Sequence, residues 1–454
     1  MKPTWSKNFS RRDFLATSTA AATAFSFTFL PSRVWGANER LRFAGIGVGG
    51  KGSSDIDGAS TLGDVVALCD CDDNSIDTKL KKWPNAKRFH DFRNMFDKMG
   101  DEIDAVTIST PDHTHAIAAA HAIVRKKAVY VQKPLTHDVW EARYLRTLAR
   151  KYKVATQMGN QGSAANGLRR GVEAIQAGVI GKVTEVHVWT NRPVWPQSPT
   201  IRARPAESSP VPENLDWAAF IGTAPMRPYN KAYHPFNWRG WWDYGTGALG
   251  DMACHTANLA FRALKLTTPT LVVAQNEPLN PETFPGWATI ISEFPARGDM
   301  PPVRYHWYEG KLPNGEKNLP PKDLFHGQNP PGSGSLLVGE KGILYSPNDY
   351  GAQWILLPEK QFEGWEDPAP TLPRNGRDDV GMKEEWVAAI KGGPAAYSNF
   401  DFACDMTEAI LLGNVAMLAG GRVEWDSENL LVTNNPAAQR FIKRQYENGW
   451  VMPS

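Results

Sequence analysis

Apolar positions change their spacing about a third of the way along the chain. From Leu41 to Gln157, short unbroken apolar runs alternate with stretches whose apolar residues recur at helical spacing. The runs are Leu41–Ile46, Val65–Asp70, Ile103–Thr110, Ala128–Val131 and Val154–Gln157; the helical stretches include Ala116–Lys127 and Val139–Lys153. An unbroken apolar run is what a strand covered on both faces requires. Strands alternating with helices predict a doubly wound parallel sheet, with ligands at the carboxyl ends of its strands. Two polar segments fall at such ends: Thr110-Pro111-Asp112-His113-Thr114-His115 and Gln132-Lys133-Pro134.

Beyond Gln157 the spacing becomes two. Val183–Trp189, Ala288–Phe294 and Val303–Tyr308 alternate apolar with polar residues, which predicts a mostly antiparallel sheet covered on one face. The segment Asn191–Tyr244 between the first two is dense in Trp, Arg, Pro and His, and so long a connection is usually functional or an insertion. This divides the chain into 1–36, a nucleotide-binding domain over 37–157, and an α+β domain over 158–454.

The first 36 residues read as an address. Ser10-Arg11-Arg12-Asp13-Phe14-Leu15 precedes the weakly apolar Ala16–Leu30, and Val34-Trp35-Gly36-Ala37 offers small residues for cleavage. The order resembles a twin-arginine export signal. Its apolar run is too short and polar to hold a membrane span, so no stable membrane anchor is expected. That route carries folded proteins, so a periplasmic or extracytoplasmic protein with its cofactor already loaded is expected. The segment carries a net charge of +4, which leaves the rest at −2 against a whole-chain +2. A near-neutral body offers no broad basic face, and nucleic acid is not expected as a partner. Cys69, Cys71, Cys254 and Cys404 form no disulfide framework, and no Cys/His grouping has zinc spacing. All four read as small buried hydrophobes, and no metal is expected.

Gly47, Gly49 and Gly52 give G-x-G-x-x-G directly after the first strand; Gly45, Gly47 and Gly50 are an alternative frame that shortens it. The first glycine makes a tight turn, the second lets the backbone approach a pyrophosphate, and the third lets helix and strand pack closely. The second strand ends in Asp70, 23 residues after Gly47. A carboxylate there accepts from ribose hydroxyls and repels a 2′-phosphate, which favours NAD over NADP. Further on, glycine-rich sequence leads into a helix beginning near Gly250. Asp251 and His255 stand four apart on one face of it, as an acid/base pair would. By spacing alone the better reading is a helix-start carboxylate and a buried histidine, since Asp/His pairs four apart are common. Among 17 tryptophans, Trp195, Trp238, Trp241 and Trp242 lie in or beside the long segment, where aromatic faces could stack on sugar rings.

In order and spacing, the Gly47/Gly49/Gly52 loop, Asp70, Pro111–His115, Gln132-Lys133-Pro134, Gly250-Asp251 and His255 resemble the Gfo/Idh/MocA oxidoreductases. The resemblance covers essentially the whole chain after the signal. It implies an α/β Rossmann domain plus an α+β C-terminal domain whose large, mostly antiparallel open sheet joins copies into a dimer or tetramer. It also implies tightly held NAD contacted by Thr110, Pro111, His115, Gln132 and Lys133. Lys133 would hold the reacting hydroxyl with help from Asp251, and His255 would move its proton. The Lys133–Pro134 peptide would be cis. The family usually has Glu where this chain has Gln132.

Asn160, Arg192, Trp195, His234 and Arg239 are candidate substrate contacts by location and polarity. The expected reaction is hydride transfer to or from a hydroxyl carbon of a sugar, polyol or glycoside. Redox-assisted glycoside cleavage is the second enzymatic reading, although relatives of that kind depart from the Lys-Pro pair kept here. A carbohydrate-binding protein without turnover is the third. Lys133, Asp251 and His255 argue against it.

Overall fold

In the computed structural model the chain is described over residues 39–454; the export signal expected over 1–36 lies outside the described residues. Six strands form a sheet that is parallel throughout: β1 (Leu41–Ile46), β2 (Gly63–Cys69), β3 (Lys87–Phe89), β4 (Ala105–Ile108), β5 (Ala128–Gln132) and β6 (Thr156–Gly159). Their order is β3-β2-β1-β4-β5-β6, the doubly wound arrangement expected from the alternation. The order reverses at β1, so the ends of β1 and β4 part to open a crevice. Cys71 lies beyond the end of β2 and is only half-buried, unlike the other three cysteines.

The second sheet has nine strands: β7 (Val183–Thr190), β8 (Leu271–Asn276), β9 (Trp287–Phe294), β10 (Val303–Gly310), β11 (Gly334–Gly339), β12 (Gly342–Ser346), β13 (Ile355–Leu357), β14 (Arg422–Asp426) and β15 (Leu431–Val432). They run in the order β13-β12-β11-β7-β10-β9-β8-β14-β15. Only β7 and β10 pair in parallel; the other pairings are antiparallel. The period-two pattern sorts the faces. Val186, Val188, Tyr305 and Trp307 turn inward, where helices Gly247–Thr256 and Phe400–Leu418 cover the sheet. Trp189, Leu336 and Tyr345 turn outward and are roofed in part by Phe325. The segment 191–244 forms no strand in either sheet. It folds around its own aromatic cluster, which includes Trp217, Phe220, Tyr233, Trp241 and Tyr244.

The core is continuous across residue 157: Ile108 and Val131 of the first sheet belong to one apolar cluster with Val186 and Leu337 of the second. The last third of the chain also returns to the nucleotide half. Helix Asp378–Ile390 packs on helix Gly50–Ser60 and on β6, and Phe400–Leu418 packs on Val139–Tyr152. Charge ties the first of these contacts. Asp55 is fully buried; one of its oxygens meets the ammonium groups of Lys51 (2.6 Å) and Lys383 (2.9 Å). The other accepts from Ser109 Oγ (2.9 Å) and Gln132 Nε2 (2.8 Å). Lys383 and Lys51 also bind Asp379, at 2.7 and 3.0 Å. Burial pushes the Asp379 carboxyl up, but these two ammonium groups bring it below its ordinary value.

A buried carboxylate stripped of one cation is costly, whereas removing both partners leaves less unpaired. Lys383→Met is therefore expected to lower unfolding stability by about 3 kcal/mol, the low end because Lys51 remains. Combined with Asp55→Asn, the loss should fall short of the two single losses added. Denaturant unfolding of the four proteins measures this; strict additivity would mean that the two groups do not interact.

Candidate active site

The glycine loop is built by close approach. At Gly47 φ is +75°, and a Cβ would lie 2.7 Å from the Ser109 main chain, so only glycine turns here. A Cβ on Gly52 would meet the Gly47 carbonyl oxygen at 2.0 Å, which lets helix Gly50–Ser60 press against the turn. Gly49 opens that helix, and a Cβ there would strike the Ser75 hydroxyl at 2.5 Å. The frame is thus Gly47/Gly49/Gly52. The Asp70 carboxylate accepts from the main-chain amides of Val48 (2.7 Å), Gly49 (3.2 Å) and Asp72 (3.0 Å). Burial raises its carboxyl above the ordinary value despite these bonds. The strand-end acid therefore lies against the loop, where ribose hydroxyls are met in this fold.

The loop opens into a cleft of about 630 Å³, within the range of small-molecule sites. Thr110, Pro111, His115, Gln132, Lys133, Asp251 and His255 all line it. Two of them have their polar atoms engaged elsewhere. His115 is buried, and its two ring nitrogens face the carbonyl oxygens of Pro134 and Thr110, each at 2.8 Å. It ties one strand-end loop to the other. Gln132 gives its amide to Asp55, so its side chain stands on the inner charge network.

Lys133 reaches across from the end of β5. The Lys133–Pro134 peptide is cis, and the ammonium donates to the Asp251 carboxylate (2.7 Å) and to the Asp251 carbonyl (2.8 Å). Both side chains are 16% exposed, enough to be reached from the cleft. The Arg239 guanidinium lies 3.7 Å from the same carboxylate and is stacked over Trp238. Burial pushes the Asp251 carboxyl up, but Lys133 and Arg239 bring it below the usual range. One turn on, His255 is 5% exposed, and its Nδ1 is sealed off without a partner. Burial and then the Lys133 ammonium push its imidazole down to about 3, so the ring is neutral at ordinary pH. Tyr350 packs edge-on against it at 5.1 Å. A lysine hydrogen-bond donor and a neutral imidazole thus share one cleft with a nucleotide loop, the parts needed to move a proton from a hydroxyl.

The five candidate substrate contacts divide. Arg192, His234 and Arg239 line the cleft. Asn160 does not: it is fully buried and bonds Ser398 Oγ (2.5 Å) and the Cys254 carbonyl (3.4 Å), bracing the floor behind the site. Trp195 is buried as well, with its indole N–H on Gln197 (2.7 Å). Spacing cannot say which way a side chain turns, and both turn inward. Conversely, Lys51, Tyr350 and Trp450 line the cleft without having been singled out. Trp450 comes from the C-terminal tail, where the Arg93 guanidinium stacks on it at 3.8 Å. The tail is anchored by the Arg444–Asp138 ion pair at 3.0 Å.

Comparison with known proteins bears on the family and the fold. Residues 41–160 match the family model described as the oxidoreductase family, NAD-binding Rossmann fold, and residues 173–293 match its C-terminal alpha/beta domain. An uncharacterised oxidoreductase of Synechocystis sp. is 26% identical over 254 residues, 50% of this chain and 58% of that protein. The chain thus spans little more than half the length of that curated relative. Among solved structures, the WlbA dehydrogenase of Bordetella pertussis, in complex with NADH and UDP-GlcNAcA, superposes with a TM-score of 0.59 at 15% identity, covering 86% of this chain and 99% of that one. The aldose–aldose oxidoreductase of Caulobacter crescentus, complexed with glycerol, gives 0.55 at 14%, covering 85% and 100%. At such identities these two likenesses speak for the fold. The two domain models together span more than half of the 454 residues, and on them the chain belongs to the Gfo/Idh/MocA oxidoreductase family.

Proposed function

We propose that this protein is an exported, NAD-dependent oxidoreductase acting on a hydroxyl carbon of a sugar, polyol or glycoside. The observation that carries the reading is the Lys133 ammonium pinned by Asp251 beside the neutral His255, in the cleft that the glycine loop opens. The loop carries little bulk: Gly50 has open space where a side chain would stand, and Gly49 lacks the Cβ that would strike the Ser75 hydroxyl. Asp70 supports NAD over NADP, since its carboxylate would repel a 2′-phosphate. When bound, nicotinamide supplies the hydride acceptor or donor.

The protein's own groups do the rest. Lys133 holds the substrate oxygen and stabilises negative charge developing on it. Asp251 keeps that ammonium in place. His255 receives the hydroxyl proton in oxidation and returns it in reduction; with Nδ1 sealed, Nε2 is the nitrogen left to do so. Arg192, His234 and Arg239 supply polar contacts for a hydroxyl-rich ligand. The sugar nucleotide bound to the WlbA dehydrogenase, and the aldoses for which the Caulobacter enzyme is named, support that substrate class. Export through the twin-arginine route accords with a nucleotide loaded before translocation and held tightly afterwards. The open face of the second sheet would join copies into a dimer or tetramer.

Two outcomes test the reading. Protein purified in its native form should release NAD(H) on denaturation. Lys133→Ala should retain that nucleotide while lowering kcat about 10³-fold on whichever sugar the wild type oxidises. Finding no bound nicotinamide, and no binding when it is added, would sink the proposal. The second outcome concerns pH. Because His255 is held neutral down to about 3, kcat/KM for oxidation should stay flat as pH falls through 6.5 and decline only well below 5. A pH–rate profile whose acid limb has its midpoint near 6.5 would remove His255 from the role of base.

A further inference from the structure

Three potential metal ligands stand together on the outer face of the second sheet, and none of them lines the cleft. Glu185 and His187 are two apart on β7 and therefore share a face. His306 on β10 lies directly opposite His187 in the parallel register of these strands. The two imidazoles stack with ring centres 4.5 Å apart and planes 12° apart.

The Nε2 atoms point at one carboxylate. His187 Nε2 lies 3.7 Å from Glu185 Oε2, and His306 Nε2 lies 3.6 Å from Oε1. Both nitrogens are buried and have no hydrogen-bond partner, and His187 is only 3% exposed. Leaving two such nitrogens unpaired is costly. The separations are too long for hydrogen bonds. They are close to the spacing of about 3.3 Å between ligands that each stand about 2.0–2.1 Å from a tetrahedral zinc ion. Behind His187, the Tyr308 hydroxyl lies 3.0 Å from Nδ1. If Nδ1–H donates to that oxygen, Nε2 keeps the lone pair a metal needs, the usual outer-shell arrangement of a ligating histidine. Asp323 adds negative charge near His187, and Arg304 adds an opposing positive charge near His306.

We infer that Glu185, His187 and His306 form a binding site for a divalent transition-metal ion of the zinc class. Two imidazoles and one carboxylate suit such an ion, with its fourth position left to water. The ion would clamp the one parallel pairing of the second sheet. No zinc spacing shows in the sequence because the ligands come from strands far apart along it.

The test uses the full protein, purified without a polyhistidine tag and treated with a chelator. Zinc or cobalt(II) is added, the sample is desalted, and bound metal is measured. One equivalent per chain is expected, with cobalt d–d absorption in the visible and a thermal midpoint that rises with zinc concentration. His306→Phe, which keeps an aromatic ring in the stack, and Glu185→Gln should each lose the metal while holding the same nucleotide content as the wild type. Tyr308→Phe should weaken zinc about 10–100-fold. No retained metal in the wild type, or equal retention in wild type and both ligand variants, overturns the site. Should the variants fail to fold, X-ray absorption at the zinc edge of the wild type decides. Two imidazoles and one carboxylate support the site, and any other ligand set refutes it.

Discussion

The bond between the Lys133 ammonium and Asp251 is the contact from which the site takes its shape. It joins the end of a parallel strand in one sheet to a helix that covers the other, and both partners are largely shielded from water. An ion pair in such a place is stable only when the geometry is good and the remaining donors find partners. Here the Asp251 carbonyl and the nearby Arg239 meet those conditions. The halves of the molecule must be docked for this to occur, and the continuous core across residue 157 docks them. A protein whose halves swung freely would leave Lys133 without its acceptor.

The second fixed point lies beneath the glycine loop. Asp55, one turn into the loop's helix, gathers Lys51, Lys383, Ser109 and Gln132 around one buried carboxylate. This explains the amide at position 132. A glutamate there would set a second carboxylate 2.8 Å from the Asp55 oxygen, and like charges at that distance cannot both stay ionised in a dry interior. Glutamine donates instead. The departure from the family's usual residue is thus coupled to a buried acid on the neighbouring helix and to a lysine supplied by the C-terminal portion of the chain.

Much of the frame was legible because it rests on local rules. Apolar runs alternating with helical periods specify a parallel sheet, and the glycine triplet and strand-end acid follow from steric and electrostatic needs that neighbours in sequence express. Lys133, Asp251 and His255 were legible together only through the resemblance, since their spacing alone favours a helix-start acid and a buried histidine. Side-chain direction in irregular segments was not: Asn160 looks as available as Arg192 in sequence, yet it turns to Ser398. Nor were the contributions of distant segments, since Tyr350, Trp450 and Lys383 reach the nucleotide half only because the chain folds back on it. The ring of β7 and β10 histidines is hidden for the same reason. Register, which depends on the whole sheet, sets His187 against His306.

The charges around His255 bear on how the site can work. Its imidazole is neutral because burial and Lys133 both oppose a second cation, and Asp251 only partly offsets them. A base so disfavoured would be a poor acceptor if nothing else changed. Negative charge forming on a hydroxyl oxygen against Lys133 would offset that ammonium, and with it the repulsion that keeps a proton off His255. The two events then help one another: the oxygen loses its proton more readily beside the lysine, and the histidine accepts one more readily once the lysine is neutralised. The lysine thus couples the arrival of substrate to the strength of the base.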